Sequence, residues 1–435
     1  MIRSPEIEAL PRDRMEALQV ERLRRTVDHV LERVPPIARR LRAAGVTRGA
    51  DVRCLADLGR LPFTTRADFQ EHYPTGLFAV PPESVVRIHA SSGTHGRPKI
   101  VGYTRNDLAI WSEVVARCLV MAGVRPGMLV HNAYGYGLFT GGLGLHQGAE
   151  LLGCRVIPAS GGFTQRQAVV LRDLGGEVLC STPSYALHIA EVVEGAGIPL
   201  RDLRLRIGVF GAEPWTEEMR SAIERRLGIV ALNIYGLSEI IGPGVSGECL
   251  HRRGMHVAED HFLVECVDPE TLEPLPDGEV GELVFTTLTL EAMPLLRYRT
   301  RDLASIDRGP CPCGRTGARM SRVKGRSDDM LIVRGVNVFP SQIEEALLRA
   351  EGTAPHYLIE VSRPGALDEA VVKVEVRPGD FRDEMRQMVE LRDRIDREIH
   401  AVTGIRMTVE LVAPNTLERS TGKAKRVLDH RKLSG

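Results

Sequence analysis

The chain has 435 residues, with 57 Lys and Arg against 57 Asp and Glu, so its formal net charge is zero. At about 150 residues per domain, this length predicts two or three domains. Hydrophobic residues make up 43% and charged residues 26%, a profile that excludes collagen-like, disordered and small disulfide-rich proteins. The zero net charge argues against a nucleic-acid partner bound through bulk positive charge.

The first predicted element is a helix over residues 13–45, where apolar side chains recur at three- and four-residue spacing. The residues before it lack the apolar stretch of a secretory signal. No apolar run in the sequence reaches the roughly 20 residues that span a bilayer. We therefore expect a cytoplasmic protein with no membrane partner, whose cysteines are thiols or metal ligands.

The middle of the chain alternates short apolar runs, such as residues 177–180 and 206–210, with helical stretches and glycine turns. This alternation predicts α/β layers around a largely parallel sheet. From Pro340 onward the pattern reads helix, strand, strand, long polar helix and strand, which is typical of a small α+β domain. The predicted architecture is a large multi-layer α/β domain over residues 1–325 and a small mobile α+β domain over residues 326–435.

A glycine-rich segment, residues 91–99, follows a strand-like stretch that ends at Ala90. It mixes hydroxyl, glycine and basic residues in the sequence SSGTHGRPK. Glycines let backbone N–H groups approach an anion, hydroxyls donate hydrogen bonds, and cations balance phosphate charge. The segment does not fit the Walker pattern, and an exposed turn is the alternative interpretation. Four further motif segments follow, at residues 233–239, 298–302, 325–340 and 419–425.

The five segments, in this order, resemble those of the adenylate-forming superfamily of acyl-CoA synthetases, adenylation domains and luciferases. Within that superfamily, longer stretches resemble phenylacetate–CoA ligases. These stretches are residues 16–30, 133–144, 182–191, 235–245, 256–262 and 286–303. The resemblance extends over essentially the whole chain.

The resemblance implies a ligase that uses ATP to activate an aromatic carboxylic acid, phenylacetate-like or benzoate-like, as an acyl-adenylate. Coenzyme A then takes the acyl group as a thioester, and AMP and pyrophosphate are released. One alternative is a stand-alone adenylation enzyme that loads the aryl acid onto a carrier protein. Another is a non-catalytic binding protein, which the presence of Glu239, Asp302 and Lys423 disfavours. Relatives of this kind are often dimers, so a homodimer is expected by analogy.

The resemblance also assigns roles around the nucleotide. Tyr235 would stack on adenine or line the neighbouring acid pocket, and His95 stands where relatives usually carry a second Thr. Asp302 would accept hydrogen bonds from both ribose hydroxyls, since one carboxylate has room for two. The corresponding positions are Ser91, Ser92, Gly93, Thr94, Gly96 and Lys99 for the phosphates, Gly211, Ala212, Glu213, Tyr235 and Gly236 for the adenine region, and Asp302 and Arg326 for the ribose or phosphate region.

The catalytic roles fall to Lys423 and Glu239. By resemblance, Lys423 bridges the carboxylate and the α-phosphate as negative charge builds in the transition state, and Glu239 ligates Mg²⁺ through oxygen. Lys423 belongs to the small domain, which in this superfamily turns between two poses about a hinge that Asp328 matches. Tyr136 and Phe139 would contact the aryl ring of the acid, with ordinary core packing as the alternative.

A cysteine–histidine group predicts a structural zinc site. Cys311 and Cys313 form a tight pair, and Cys249 and His256 lie some 60 residues earlier in the chain. Zinc prefers four nitrogen and sulfur ligands in a tetrahedral array, which these four side chains supply. His251 is the alternative to His256 as a ligand, and the competing interpretation is free thiols in a loop.

Overall fold

The computed structural model describes residues 1–91, 97–333, 336–350, 352–363, 368–377, 385–418 and 426–431. The α-helices in these residues are α1 (Pro5–Glu8), α2 (Arg12–Arg33), α3 (Pro35–Ala43), α4 (Arg66–Glu71), α5 (Arg105–Met121), α6 (Thr140–Leu152), α7 (Thr164–Leu174), α8 (Pro183–Gly195), α9 (Glu217–Leu227), α10 (Pro340–Arg349) and α11 (Met385–Thr403). The strands are β1 (Arg87–Ser91), β2 (Lys99–Tyr103), β3 (Leu129–Asn132), β4 (Arg155–Ile157), β5 (Val178–Ser181), β6 (Ile207–Gly211), β7 (Val230–Leu237), β8 (Gly242–Glu248), β9 (Met255–Val257), β10 (Phe262–Val267), β11 (Gly281–Thr287), β12 (Tyr298–Ala304), β13 (Ile306–Asp307), β14 (Arg319–Met320), β15 (Gly325–Arg326), β16 (Leu331–Val333), β17 (Val336–Val338), β18 (Thr353–Ser362), β19 (Glu369–Val376), β20 (Thr408–Val412) and β21 (Val427–Asp429). No helix in this part of the chain is long and apolar enough to cross a lipid bilayer.

The N-terminal helix that the apolar spacing predicts is present but divided. α2 and α3 meet at Val34, whose backbone leaves the helical region with φ −119° and ψ 82°. The ring of a proline clashes with a helical conformation of the residue before it, so Pro35 explains the break. Both halves bury their apolar faces, with Leu23 and Ile37 as examples. The prediction of helix over residues 13–45 is confirmed apart from this break.

A nine-stranded mixed sheet forms the centre of the large domain, in the order β13-β14-β9-β8-β7-β6-β5-β3-β4. Strands β3 to β7 run parallel to one another, whereas β8, β9, β14 and β13 are paired antiparallel. The apolar runs at residues 177–180 and 206–210 lie in β5 and β6. The predicted parallel sheet is therefore present as one half of a larger mixed sheet.

Helices cover both faces of the parallel strands, because alternate residues of a strand point to opposite sides. In β5, Val178 and Cys180 pack into one core with Trp111 of α5. Leu179, between them, packs into a second core with Leu171 of α7. The first core also holds side chains of α2, α3 and α6, and the second those of α8 and α9. These layers are the α/β architecture that the sequence predicts.

Two smaller antiparallel units complete the large domain. One is the four-stranded sheet β10-β11-β12-β15, and the other is the hairpin of β1 and β2. In the hairpin, Ser91 is the register partner of Lys99. The glycine-rich segment is therefore the connection between these two strands.

The C-terminal part of the chain has a core of its own. The sheet β20-β19-β18-β21 packs against α10 and α11, and Ile343, Val372 and Ile395 are fully buried between them. β18 and β19 are antiparallel, whereas β20 and β21 are each parallel to their neighbour. The order of helices and strands predicted after Pro340 is confirmed.

The chain passes from one core to the other close to Asp328. Gly325 and Arg326 in β15 pair with β12 of the large domain. Leu331, at the start of β16, already packs into the small-domain core. A boundary after residue 325 and a hinge at Asp328 agree with these positions and stay predictions.

We expect Trp111→Ala to lower the free energy of unfolding by about 3–5 kcal/mol. The Trp111 ring is fully buried, stacks on Tyr103 at 5.0 Å between centroids, and donates from Nε1 to the Pro243 carbonyl at 2.9 Å. Urea unfolding followed by circular dichroism measures the loss. Leu174→Ala is the matched control, because Leu174 is exposed on α7 and its truncation should change stability by less than about 0.5 kcal/mol. Equal losses of stability in the two variants would contradict the placement of Trp111 in the core.

Candidate functional site

A cavity of about 550 Å³ lies at the carboxyl ends of the parallel strands β6 and β7. The segments that end or follow these strands, Gly211 to Glu213 and Tyr235 to Glu239, line it together with Tyr298 to Asp302 of β12. In open α/β sheets, ligands bind in the crevice outside the carboxyl ends of the strands. Two of the motifs found in the sequence therefore meet at the position where this fold binds ligands.

The glycine-rich segment joins this cavity through the hairpin of β1 and β2. Ser91 and Lys99 face each other where β1 ends and β2 begins, and both line the cavity. The Ser91 hydroxyl is buried and has no hydrogen-bond partner within the described residues, so a ligand can supply one. The other residues predicted to hold phosphates lie outside the described residues; these are Ser92, Gly93, Thr94 and Gly96. His95 also lies outside them.

Lys99 and Glu239 form a mostly buried ion pair at the cavity wall. The Tyr298 hydroxyl donates a hydrogen bond to the same carboxylate oxygen, Oε1, at 3.2 Å. Burial, and then the guanidinium groups of Arg326 and Arg66, lower the pKa of Lys99, whereas the carboxylates of Asp328 and Asp302 act in the opposite direction. A buried charge pair that faces a cavity can exchange partners with an incoming anion and cation.

Asp302 is the centre of a second polar group. Its Oδ2 accepts a hydrogen bond from the Tyr235 hydroxyl at 2.7 Å, and its Oδ1 lies 3.9 Å from Nη1 of Arg326. Arg326 also donates two hydrogen bonds to Asp328, at 2.8 and 3.0 Å. Burial opposes ionisation of Asp328, but the bonds from Arg326 prevail and lower its pKa. The predicted ribose acceptor, adenine neighbour and hinge residue are thus joined by direct contacts.

The predicted adenine wall is a tight turn at the end of β6. A Cβ atom at Gly211 would meet the backbone oxygen of Ile234 at 2.0 Å, so only glycine fits beside β7. Ala212 has φ +72°, a left-handed conformation. The Glu213 carboxylate accepts a hydrogen bond from the Ser184 backbone N–H at 2.8 Å. These contacts hold the turn against the cavity.

The two aromatic residues predicted for the acid occupy different surroundings. Phe139 lines the cavity and is 42% exposed, whereas Tyr136 is not among the lining residues. The Tyr136 hydroxyl accepts a hydrogen bond from Asn132 Nδ2 at 2.8 Å and lies 3.0 Å from Nδ1 of His146. Tyr134, from the same stretch, does line the cavity. Phe139 and Tyr134 are therefore better placed to meet an aryl ring than Tyr136.

Thr65 and Arg66 line the cavity but belong to no motif recognised in the sequence. Thr65 caps α4 in a capping box with Asp68, and Arg66 is the first residue of that helix. A threonine before a short helix is an ordinary start signal, so nothing local distinguishes this segment as part of a site. Only the tertiary fold brings Arg66 near Lys99.

Lys423, the predicted catalytic lysine, lies outside the described residues. Arg426, three residues further along, is described and is half-buried beside α10. Its guanidinium donates to Glu344 at 3.1 Å and lies over the Tyr357 ring at 4.4 Å from the centroid. Burial lowers the pKa of Arg426, but Tyr357, Glu344 and Glu213 together raise it. Glu213 lines the cavity, so the described end of this segment lies close to the site.

The structure brings the four predicted zinc ligands together. One ligand atom from each of Cys249, His256, Cys311 and Cys313 lies within 4.8 Å of the others. The two sulfurs of Cys249 and Cys311 are 3.8 Å apart, and Cys313 Sγ is 3.3 Å from His256 Nε2. Tetrahedral Zn–S bonds of about 2.3 Å place neighbouring sulfurs roughly 3.8 Å apart, so the residues fit the ion. His251 is exposed and outside this group.

Comparisons with known proteins identify both parts of the chain. Residues 54–290 match the family model of AMP-binding enzymes, and residues 335–431 match that of the AMP-binding enzyme C-terminal domain. Phenylacetate-coenzyme A ligase of Thermus thermophilus is 54% identical over 99% of this chain and 100% of its own length. Phenylacetate-coenzyme A ligase of Escherichia coli is 51% identical over 99% of this chain and 98% of its own.

Among solved structures, 2-hydroxyisobutyryl-CoA ligase in its postadenylation state, in complex with R3-HIB-AMP, is similar to this chain. The two are 28% identical, and their structures agree with a TM-score of 0.92 over 98% of this chain and 91% of that one. The same enzyme with 2-HIB-AMP and CoA, in the thioesterification state, gives a TM-score of 0.72 at 29% identity over 98% of this chain and 92% of that one. The AMP-binding family model matches more than half of the chain. About half of the residues are identical to those of the two phenylacetate-coenzyme A ligases over nearly the whole chain. The chain therefore belongs to the phenylacetate–coenzyme A ligase family of AMP-binding enzymes.

Proposed function

We propose that this chain is an AMP-forming acid–thiol ligase that activates phenylacetate, or a close aryl acid, with ATP and transfers the acyl group to coenzyme A. The observation that carries this proposal is the single cavity that unites Ser91, Lys99 and Glu239 with Asp302 and the turn at Glu213. These groups offer an anion site, a carboxylate for a cation and a carboxylate for hydroxyls, as a nucleoside triphosphate requires.

In the first half-reaction, a carboxylate oxygen of the acid attacks the α-phosphorus of ATP, and pyrophosphate leaves. Lys99 and the Ser91 hydroxyl hold the β- and γ-phosphates with Ser92, Gly93, Thr94 and Gly96. As the phosphates arrive, Lys99 exchanges the Glu239 carboxylate for a phosphate oxygen. Mg²⁺, when bound, neutralises phosphate charge, and Glu239 is the residue that would hold it.

The remaining contacts position the nucleoside. Asp302 accepts hydrogen bonds from the ribose hydroxyls, and Arg326 lies beside it at 3.9 Å to orient the ribose and phosphate region. Gly211, Ala212 and Glu213 form one wall for adenine, and Tyr235 and Gly236 on the neighbouring strand line the same cavity. Lys423 supplies positive charge to the carboxylate and the α-phosphate in the transition state. This role of Lys423 is supported by the position of Arg426, which is three residues away in the chain and close to Glu213.

In the second half-reaction, the sulfur of coenzyme A attacks the acyl carbon of the adenylate, and AMP leaves. The small domain turns about Asp328 between the two steps, as in the superfamily. The arrangement of this chain is nearer to the postadenylation state of 2-hydroxyisobutyryl-CoA ligase than to its thioesterification state. We therefore assign the present pose to the first half-reaction. A cytoplasmic location and a homodimeric state remain predictions.

The Cys249, His256, Cys311 and Cys313 group is proposed to hold one structural Zn²⁺. Burial, and then Arg315 and Arg319, lower the pKa of His256 to about 3, which keeps the imidazole in the neutral form that metals bind. The group lies on the antiparallel side of the large sheet, where His256 of β9 pairs with Arg319 of β14. The ion would therefore stabilise the sheet edge and take no part in the chemistry.

With ATP, Mg²⁺ and coenzyme A, the chain should convert phenylacetate to phenylacetyl-CoA with release of one pyrophosphate per turnover. Pyrophosphate release across a panel of phenylacetate, benzoate and aliphatic acids measures acid preference, and mass spectrometry identifies the thioester. Parallel reactions without ATP are the control. A thioester that forms only on an added carrier protein would overturn coenzyme A as the acceptor.

Lys423→Ala should depress acid-dependent pyrophosphate exchange by at least about 100-fold, because one charge that stabilises the transition state is removed. Thioester formation from pre-formed phenylacetyl-AMP should be largely retained, since Lys423 acts in the first step only. Lys425→Ala, from the same basic run, is the matched control and should keep its exchange activity. Equal loss in both variants would refute the assignment to Lys423.

Protein purified without chelators should contain about one zinc per chain. Cys311→Ser should lose zinc and melt at a lower temperature, because one of four ligands becomes a poor donor. Cys54→Ser is the matched control, since Cys54 is an exposed thiol outside the cluster. Elemental analysis with thermal unfolding measures both quantities. A zinc content well below one equivalent per chain in the unmodified protein would contradict the proposed site.

A further inference from the structure

A second group of metal-binding side chains lies between the two domains. His188 and Glu191 belong to α8 of the large domain, and His356 belongs to β18 of the small domain. One ligand atom from each of the three lies within 4.8 Å of the other two. The Glu191 carboxylate oxygen Oε2 is 3.0 Å from Nε2 of His356 and 3.4 Å from Nδ1 of His188.

The distances between these ligand atoms allow all three to bind one shared metal ion. His188 and Glu191 are three residues apart on a helix, so their side chains lie on one face. Bonds of about 2.1 Å from zinc to nitrogen and oxygen place neighbouring ligand atoms of a tetrahedral site roughly 3.4 Å apart. The separation of Glu191 Oε2 from His188 equals that value at 3.4 Å, and its separation from His356 is slightly shorter at 3.0 Å. Little movement is therefore needed for the three groups to share one ion.

Surrounding residues hold the ligands in place. Nη1 of Arg226 lies 3.9 Å from Oε1 of Glu191, the oxygen that does not face the histidines. Arg226 is itself held by two bonds to Glu194, at 2.8 and 2.6 Å. The His188 ring packs at 6.0 Å from the Tyr185 ring. The site is thus built, and its ligands are only partly buried, which lets an ion enter from solvent.

We propose that His188, Glu191 and His356 bind one divalent ion of the zinc class and that this ion bridges the two domains. Two imidazoles and one carboxylate are the donor set that such ions prefer, and three ligands leave a fourth position for water. The set is complete only in the present pose, because His356 moves with the small domain. A bound ion therefore holds that pose.

The consequence for turnover rests on the proposed function. Adenylation takes place in the present pose, so the ion leaves it unimpaired. Thioester formation requires the small domain to turn, which separates His356 from α8. Zn²⁺ at this site therefore slows transfer to coenzyme A selectively.

Titration of the purified full-length protein with Zn²⁺ by calorimetry tests the site itself. The unmodified protein should bind one ion that His188→Gln and His356→Gln bind at least about 10-fold more weakly. His400→Gln is the matched control, because His400 is an exposed residue of α11 in the small domain. Zinc binding at the Cys249 site is the same in all four proteins, so it does not contribute to the differences between them. Equal zinc binding in all four would overturn the proposal, and this measurement does not depend on any ligase activity.

A second measurement tests the effect on the domains. At saturating Zn²⁺, the unmodified protein and His400→Gln should form the thioester several-fold more slowly, with pyrophosphate exchange unchanged. His188→Gln and His356→Gln should escape this inhibition. Equal inhibition of all four proteins would refute the bridge, since zinc would then act on coenzyme A or on another site. A protein that binds the ion but shows no ligase activity refutes the proposed function and leaves the metal site standing.

Discussion

The site depends on the ion pair between Lys99 and Glu239. The pair joins the β1–β2 hairpin, which carries the glycine-rich segment, to the end of β7 in the central sheet. Both charges are largely withdrawn from water, so neither can be left alone without a large desolvation penalty. A ligand that separates them must offer an anion to the lysine and a cation to the carboxylate at once. A magnesium–nucleotide complex does this, whereas a lone phosphate or a lone metal ion supplies only half of the exchange.

This constraint accounts for the arrangement of the other polar groups. Asp302 and Arg326 lie next to the pair but are tied to Tyr235 and Asp328 by their own contacts. The proposed nucleoside site is therefore assembled before a ligand arrives, while the proposed phosphate site is closed on itself by a salt bridge. Preformed contacts give geometry at low entropic cost, and the exchangeable pair gives selectivity for a charged, metal-bearing ligand.

Much of the fold follows from local patterns in the sequence. Apolar spacing identifies α2 and α3, short apolar runs identify β5 and β6, and the order of elements after Pro340 is correct. The antiparallel half of the large sheet has no clear signal in the sequence. Strands β9, β13 and β14 have only two or three residues each, which is too short for a periodic pattern, and β8 contains three glycines. The residues of the proposed zinc site are recognisable in the sequence because Cys311 and Cys313, with one residue between them, are a local pattern.

Residues without a local pattern escaped prediction. Arg66 starts a short helix, His188 and Glu191 lie on a buried helix that reads as ordinary core, and His356 is in another domain. Their proximity to one another or to the cavity arises only from tertiary packing. The contact of Tyr136 with the acid stays a prediction, and its hydroxyl is bonded to Asn132 and lies close to His146.

The division of one ligand set between α8 and β18 has a thermodynamic consequence. If an ion favours one arrangement of the domains, then every ligand that changes the balance of arrangements must change the affinity for the ion by the same factor. An acyl-adenylate that stabilises the present pose tightens the metal, and coenzyme A, by drawing the small domain away, expels it. The metal affinity would then report which substrate is bound some distance away, without any contact between the two sites.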